Sequence, residues 1–127
     1  TMLRLSETRD ALTVVGDQMG GPTPAADIAA TLLRMATLMQ GGQAGGTYHY
    51  AGLPITSWAG FARETFALAD RTTMVTDIPT GAYPTPAARP LNSRLDCASL
   101  TADFGINPPD WRAGLATVIK ELGHDKA

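Results

Sequence analysis

Apolar and polar positions along the chain fall into short blocks of two periods. Met2, Leu3 and Leu5 among Arg4, Glu7 and Arg9 predict a helical stub. Residues 11–15 form a β-prone run that ends at Gly16, and residues 17–23 read as a turn-rich connection. Ile28, Leu32, Met35 and Met39 stand at helical spacing and predict a helix reaching about Gln40. Thr23 is the expected N-cap of that helix, Pro24 its first residue, and Asp27 sits where the helix dipole favours a carboxylate. The glycine-rich stretch 41–46 stops it. Residues 47–51, rich in aromatics, predict a strand. Thr56 or Ser57 caps a further helix with Trp58, Phe61, Ala62, Thr65, Leu68 and Ala69 on its inner side. Residues 73–78 predict a β-branched strand. Asp96 is the expected cap of a short helix that contains Leu100 and Phe104 and ends at Gly105. Asn107-Pro108-Pro109 is a rigid turn. Asp110 caps the last helix, whose apolar face is Trp111, Leu115, Val118, Ile119 and Leu122, with Gly123 as its stop.

The order is helix stub, strand, helix, strand, helix, strand, long loop, two helices. That alternation predicts an α/β chain, or α+β when taken as an isolated fragment. The strands are few and short and would be better completed by others. The chain starts at Thr1, inside a helix with no room for a cap, so a fragment of a longer protein is expected. With 127 residues it is one domain or part of one. A net charge of −2 gives little support to a nucleic-acid partner, and no apolar run approaches membrane-spanning length. The single cysteine, Cys97, has no partner for an internal disulfide, which fits a reducing cytosol.

The candidate chemistry lies in residues 83–96. Pro84, Pro86 and Pro90 remove backbone donors and exclude helix and central strand alike. On this stiff, extended loop stand Arg89, Asn92, Ser93 and Arg94. Two guanidinium groups with an amide and a hydroxyl suit an anionic, hydrogen-bonding ligand such as a nucleotide diphosphate. A surface crossover whose arginines pair with local carboxylates is the competing reading. The glycines of 41–46 follow a helix and lead toward a strand, the reverse of a phosphate-binding fingerprint. His49 has no second metal ligand near it in sequence and reads as a hydrogen-bonded strand residue. His124 is expected to be solvated. Trp58, in a first helical turn, suits either core or ligand, and Cys97 reads as a small first-turn residue.

Five segments carry a family resemblance, in register. Residues 14–23 (Val14-Val15-Gly16-Asp17-Gln18-Met19-Gly20-Gly21-Pro22-Thr23) are similar to a V-V-x-D-Q-x-G-x-P-T segment. Residues 46–52 resemble a G-x-Y-H-x-A-G strand, and Thr56-Ser57-Trp58 with Phe61-Ala62 resembles a T-S-W-x-x-F-A helix start. Residues 83–96 resemble a Y-P-T-P-A-x-R-P-x-N-S-x-L-D loop, and Pro109-Asp110-Trp111 a P-D-W before the last helix. The family is dTDP-4-dehydrorhamnose reductase, an extended short-chain dehydrogenase/reductase, and the resemblance covers its C-terminal part.

The resemblance implies a single substrate-binding portion over residues 1–127, with the NAD(P)-binding Rossmann domain absent. The parent would reduce dTDP-4-dehydro-6-deoxy-L-mannose to dTDP-L-rhamnose with NADPH or NADH, in the cytoplasm. Residues four after Tyr48, Tyr50 and Tyr83 are Gly52, Pro54 and Ala87, so the family's catalytic Tyr-x-x-x-Lys is missing and the fragment is expected to be inactive. Arg89 would face the diphosphate. Asn92 and Ser93 would hold the loop or touch the nucleotide, Gln18 would read a base or sugar, and Trp58 joins the substrate-binding set. Asp17 and Asp96 read as turn and cap residues. Some members bridge a dimer through Mg2+ with acidic residues. Glu121 stands at the comparable place but no convincing partner lies in 25–27, so no metal site is assigned. Self-association is expected through apolar surface on the Met2 to Leu5 stub and one face of the Ile28 to Met39 helix. A non-catalytic sugar-nucleotide-binding or regulatory subunit of the same fold is the alternative.

Overall fold

A crossover joins two parallel strands, and nearly half of the chain is spent on it. In the computed structural model, which describes residues 1–123, helix α1 (Met2–Ser6) leads into β1 (Ala11–Val15). β1 pairs in parallel with β4 (Met74–Ile78), in a register running from Ala11 opposite Met74 to Val15 opposite Ile78. Between them lie β2 (Met19–Gly20), α2 (Ala25–Gln40), β3 (Thr56–Ser57) and α3 (Trp58–Leu68). β2 and β3 pair antiparallel, Met19 opposite Ser57. A 3-10 turn (Thr80–Ala82) follows β4, and α4 (Ala98–Phe104) and α5 (Trp111–Glu121) close the order. The mixed α/β architecture is the one expected.

Helix α3 packs on both strands of the parallel pair, with Ala59, Ala62, Thr65 and Phe66 buried. The alanines let helix and strands approach closely, and Phe66 fills the remaining volume. Ser57 is the N-cap of α3, its hydroxyl accepting from the Gly60 N–H at 3.1 Å. Trp111, at the start of α5, is 2% exposed and meets the Phe61 ring at 5.5 Å between centroids. Its indole N–H donates to the Pro54 carbonyl at 2.6 Å. Asp110 caps α5 by accepting from the Arg112 N–H, and Gly105 ends α4 with φ of 64°, a left-handed conformation that suits glycine.

Five expectations change. Residues 47–51 are not a strand: no chain pairs with them, and their aromatic side chains turn to α4 instead. Tyr48 meets Phe104 edge-on at 5.1 Å and donates its hydroxyl to Asp103 at 2.9 Å. His49 is consequently exposed and lies outside any strand. Thr23 does not cap α2. Pro24 holds the N-cap position, while the Thr23 hydroxyl donates to the Gly21 carbonyl and accepts from the Gly52 N–H. Asp96 sits one residue before the cap of α4, which is Cys97, although its carboxylate still accepts from the Ala98 N–H at 2.9 Å. Trp58 is 55% exposed rather than on the inner side of α3. The apolar stripe of α2 stands largely open, as expected, and that of α5 is only partly covered. Ile28, Leu32, Met39, Val118 and Leu122 are exposed, whereas Trp111 and Ile119 are buried. His124 lies outside the described residues.

Candidate functional site

The site begins where β1 ends. The chain turns at Gly16, and the Asp17 carboxylate reaches the start of the turn after β4, 63 residues on. It accepts from the Thr80 N–H at 2.9 and 3.0 Å and from the Thr80 hydroxyl at 2.6 Å. These bonds favour the charged form, the side-chain one foremost, and hold Asp17 below its ordinary carboxylate pKa. Gln18 follows at once, and its Nε2 donates to the Thr80 hydroxyl oxygen at 3.2 Å. Asp17 is thus a turn-fixing residue, as its sequence position implies.

The proline-rich loop is laid against this turn by its far end. Met19 N–H donates to the Leu91 carbonyl at 2.8 Å, and Ser93 N–H donates to the Met19 carbonyl at 2.9 Å. The Ser93 hydroxyl donates to the same carbonyl at 3.1 Å. Asn92 pairs with Met19 in an isolated parallel bridge. Its side-chain oxygen accepts from the Arg94 N–H at 3.1 Å and from Arg94 Nε at 2.8 Å. Asn92 therefore holds the loop and fixes Arg94 rather than lining the cleft.

Two adjoining depressions result. One of about 570 Å³ is bounded by Tyr83, Thr85, Arg89 and Pro90 from the loop and Val15 from β1. The other, of about 170 Å³, is bounded by Gly20, Gly21, Thr56 and Phe61. Gln18, Trp58 and Ser93 line both, so together they form one groove with the Trp58 ring at its middle. Close approach shapes the narrower end. A Cβ at Gly21 would strike the Gly52 carbonyl, and one at Gly52 would strike the Pro22 carbonyl, so glycine at both places lets two backbones touch.

Of the residues singled out from sequence, Arg89, Gln18, Ser93 and Trp58 come together in this groove, and Asn92 stands behind it. Among the described residues Arg89 enters no ion pair. The guanidinium is therefore open to a ligand from the groove side. Thr80 escaped the sequence reading. A threonine after a proline carries no signal of its own, and only the parallel pairing of β1 with β4 sets it beside Asp17. A third hollow, between the start of α2 and α5, is bounded by Asp27, Asp110 and Glu121. No group of three or more metal-ligating side chains close enough to share an ion occurs among the described residues.

Residues 1–124 match the family model described as the RmlD substrate binding domain. The chain is 44% identical to a dTDP-4-dehydrorhamnose reductase of Sinorhizobium fredii, over 95% of this chain and 43% of that protein. The crystal structure of a dTDP-4-dehydrorhamnose reductase from Clostridium acetobutylicum superposes with a TM-score of 0.89 at 34% identity, covering 96% of this chain and 42% of that one. A Bacillus anthracis dTDP-4-dehydrorhamnose reductase in complex with NADP gives 0.82 at 31%, covering 94% and 41%. The chain spans less than half the length of the relatives it matches.

Proposed function

The chain belongs to the RmlD substrate binding domain family, and from that premise we propose that it is the substrate lobe of a reductase that converts dTDP-4-dehydro-6-deoxy-L-mannose to dTDP-L-rhamnose with NADPH or NADH. The single observation that carries this reading is the convergence of Arg89, Trp58, Gln18 and Ser93 on one groove. A diphosphate needs a cation with forked donors, and Arg89 has no competing ion pair among the described residues. A base or sugar ring needs a flat apolar wall, and Trp58 offers an exposed one. Gln18 and Ser93 add hydrogen-bonding groups beside it.

The described residues do not fit the dinucleotide itself. A pyrophosphate cradle runs strand, glycine turn, helix. Here the glycines of 41–46 follow α2 and lead into an extended segment without strand pairing, and the turn after β1 carries the Asp17 carboxylate directly after Gly16, a charge that would repel a pyrophosphate. The hydride donor is therefore assigned to the remainder of the parent enzyme, and this chain to holding and orienting the nucleotide sugar. The two-stranded parallel pair agrees with that division. Parallel sheets are stable when extended and covered, so β1 and β4 would join the strands of a Rossmann domain. No helix among the described residues is long and apolar enough to cross a membrane. A nucleotide-sugar substrate and a reduced nicotinamide assign the reaction to the cytoplasm.

Arg89→Ala in the parent enzyme is expected to weaken dTDP binding by about 2 kcal/mol or more, because a charge-assisted pair is lost. Calorimetric titration reads this directly, and an unchanged affinity overturns the assignment.

A further inference from the structure

We propose that Thr80 and Asp17 are positioning residues that present the Gln18 side-chain oxygen, Oε1, to the groove as a fixed acceptor for an N–H or O–H donor of the ligand. The inference rests on the reading of the groove as a nucleotide-sugar site. It follows from counting protons. The Thr80 hydroxyl has one proton, and at 2.6 Å from Asp17 Oδ1 it is donated to the carboxylate, which can only accept when ionised. The bonds from Thr80 keep the carboxylate ionised to lower pH than usual. The hydroxyl oxygen can then only accept from Gln18, so Nε2 faces Thr80 at 3.2 Å. The two orientations of a carboxamide are told apart only by such a network. With one amide N–H directed at Thr80, the oxygen lies on the other side of the planar group. Among the described residues no donor meets it, while Gln18 lines both ends of the groove.

A glutamine free to flip would accept or donate with equal ease. At the position of its oxygen, one held in this way takes a donor and rejects an acceptor. On a thymidine diphosphate sugar the candidate donors are the imide N–H of the base and the hydroxyls of the sugar. Ligands that offer only a carbonyl at that point leave two oxygens facing each other.

The test is calorimetric titration of the parent enzyme with dTDP, N3-methyl-dTDP and dTDP-L-rhamnose. If the base supplies the donor, the unaltered protein binds dTDP roughly tenfold tighter than its N3-methyl analogue. Gln18→Leu and Thr80→Val then level the two, and Thr80→Ser restores the difference. If the sugar supplies it, the two nucleotides bind alike, and Gln18→Leu and Thr80→Val weaken dTDP-L-rhamnose roughly tenfold while leaving dTDP unchanged. Thr80→Ser again restores binding, which a loss of folding would not allow. Selectivity that survives in Thr80→Val, or that is missing for both donors in the unaltered protein, overturns the proposal. Arg89→Ala separates the two levels. If it weakens dTDP while Thr80→Val is silent, only the positioning role fails; if the protein binds no dTDP, the groove reading falls with it.

Discussion

At the scale of single residues, charge and hydrogen bonding act together at two places, the Asp17 turn and the Tyr48–Asp103 contact. Asp17 has its pKa lowered, chiefly by the Thr80 hydroxyl and next by the Thr80 N–H. A carboxylate whose folded pKa is depressed stabilises the fold above its unfolded value of 3.8 and loses that contribution as pH falls through the lower folded value. Asp17→Asn should therefore lower stability at neutral pH, and the gap to the unaltered protein should close on acidification below about 4. Denaturant unfolding at a series of pH values measures this; a gap that persists undiminished at strong acid refutes it. Tyr48 shows the opposite sign. Its bond to the Asp103 carboxylate raises the phenol pKa above 10.0, so its contribution is complete below that value and fades as pH climbs through the higher folded one. Asp17 was legible as a turn residue and Arg89 as an anion-binding candidate because residue type and neighbours narrow what they do, whereas Gln18 was named through the family resemblance. Thr80 was not, because its importance is a distance.

Among the elements, the helices were read most faithfully and the strands least. Helices α3, α4 and α5 start and stop within a residue or two of their caps, since capping is written in local chemistry. A strand exists only with a partner. Residues 47–51 have strand composition and no partner, whereas β2 and β3 are two residues long, lack any compositional signal and are strands because they meet. The element that ties the two halves together is α5, through Trp111 on Phe61 and the indole bond to Pro54. Trp111→Ala removes a fully buried ring and leaves the Pro54 carbonyl unmet, and should cost about 3–5 kcal/mol. Trp111→Phe keeps most of the packing and should cost less. Thermal unfolding ranks the two, and equal losses would show that the hydrogen bond rather than the ring dominates.

On the scale of the whole molecule, the balance of buried and exposed apolar surface is the informative quantity. Helix α2 buries only Thr31 in full, while Leu32 and Leu33 are 61% and 72% exposed and Ile28 and Met39 stand open beside them. The expected apolar face of this helix is thus present, and the α1 stub is half-buried. Residues 1–127 alone are expected to self-associate through that face, and Leu32→Lys with Leu33→Glu should shift the population toward monomer. Sedimentation velocity at rising concentration checks it; a strictly monomeric unaltered chain at the highest concentration refutes it. The sequence by itself determined where most helices begin and end, which loop is too stiff to be idle, and that its guanidinium, amide and hydroxyl groups suit an anionic ligand. These follow from bonds within a few residues and from side-chain chemistry, whereas Gln18 and Trp58 were named as ligand-facing through the family resemblance. Only the tertiary structure decided that Arg89, Gln18, Ser93 and Trp58 share a groove, that Asn92 bonds Arg94 instead of lining it, and that Thr80 stands within hydrogen-bond reach of Asp17 and Gln18. Those facts depend on two strands some 60 residues apart lying in parallel register, and the free energy that selects this pairing comes from burying α3 across both.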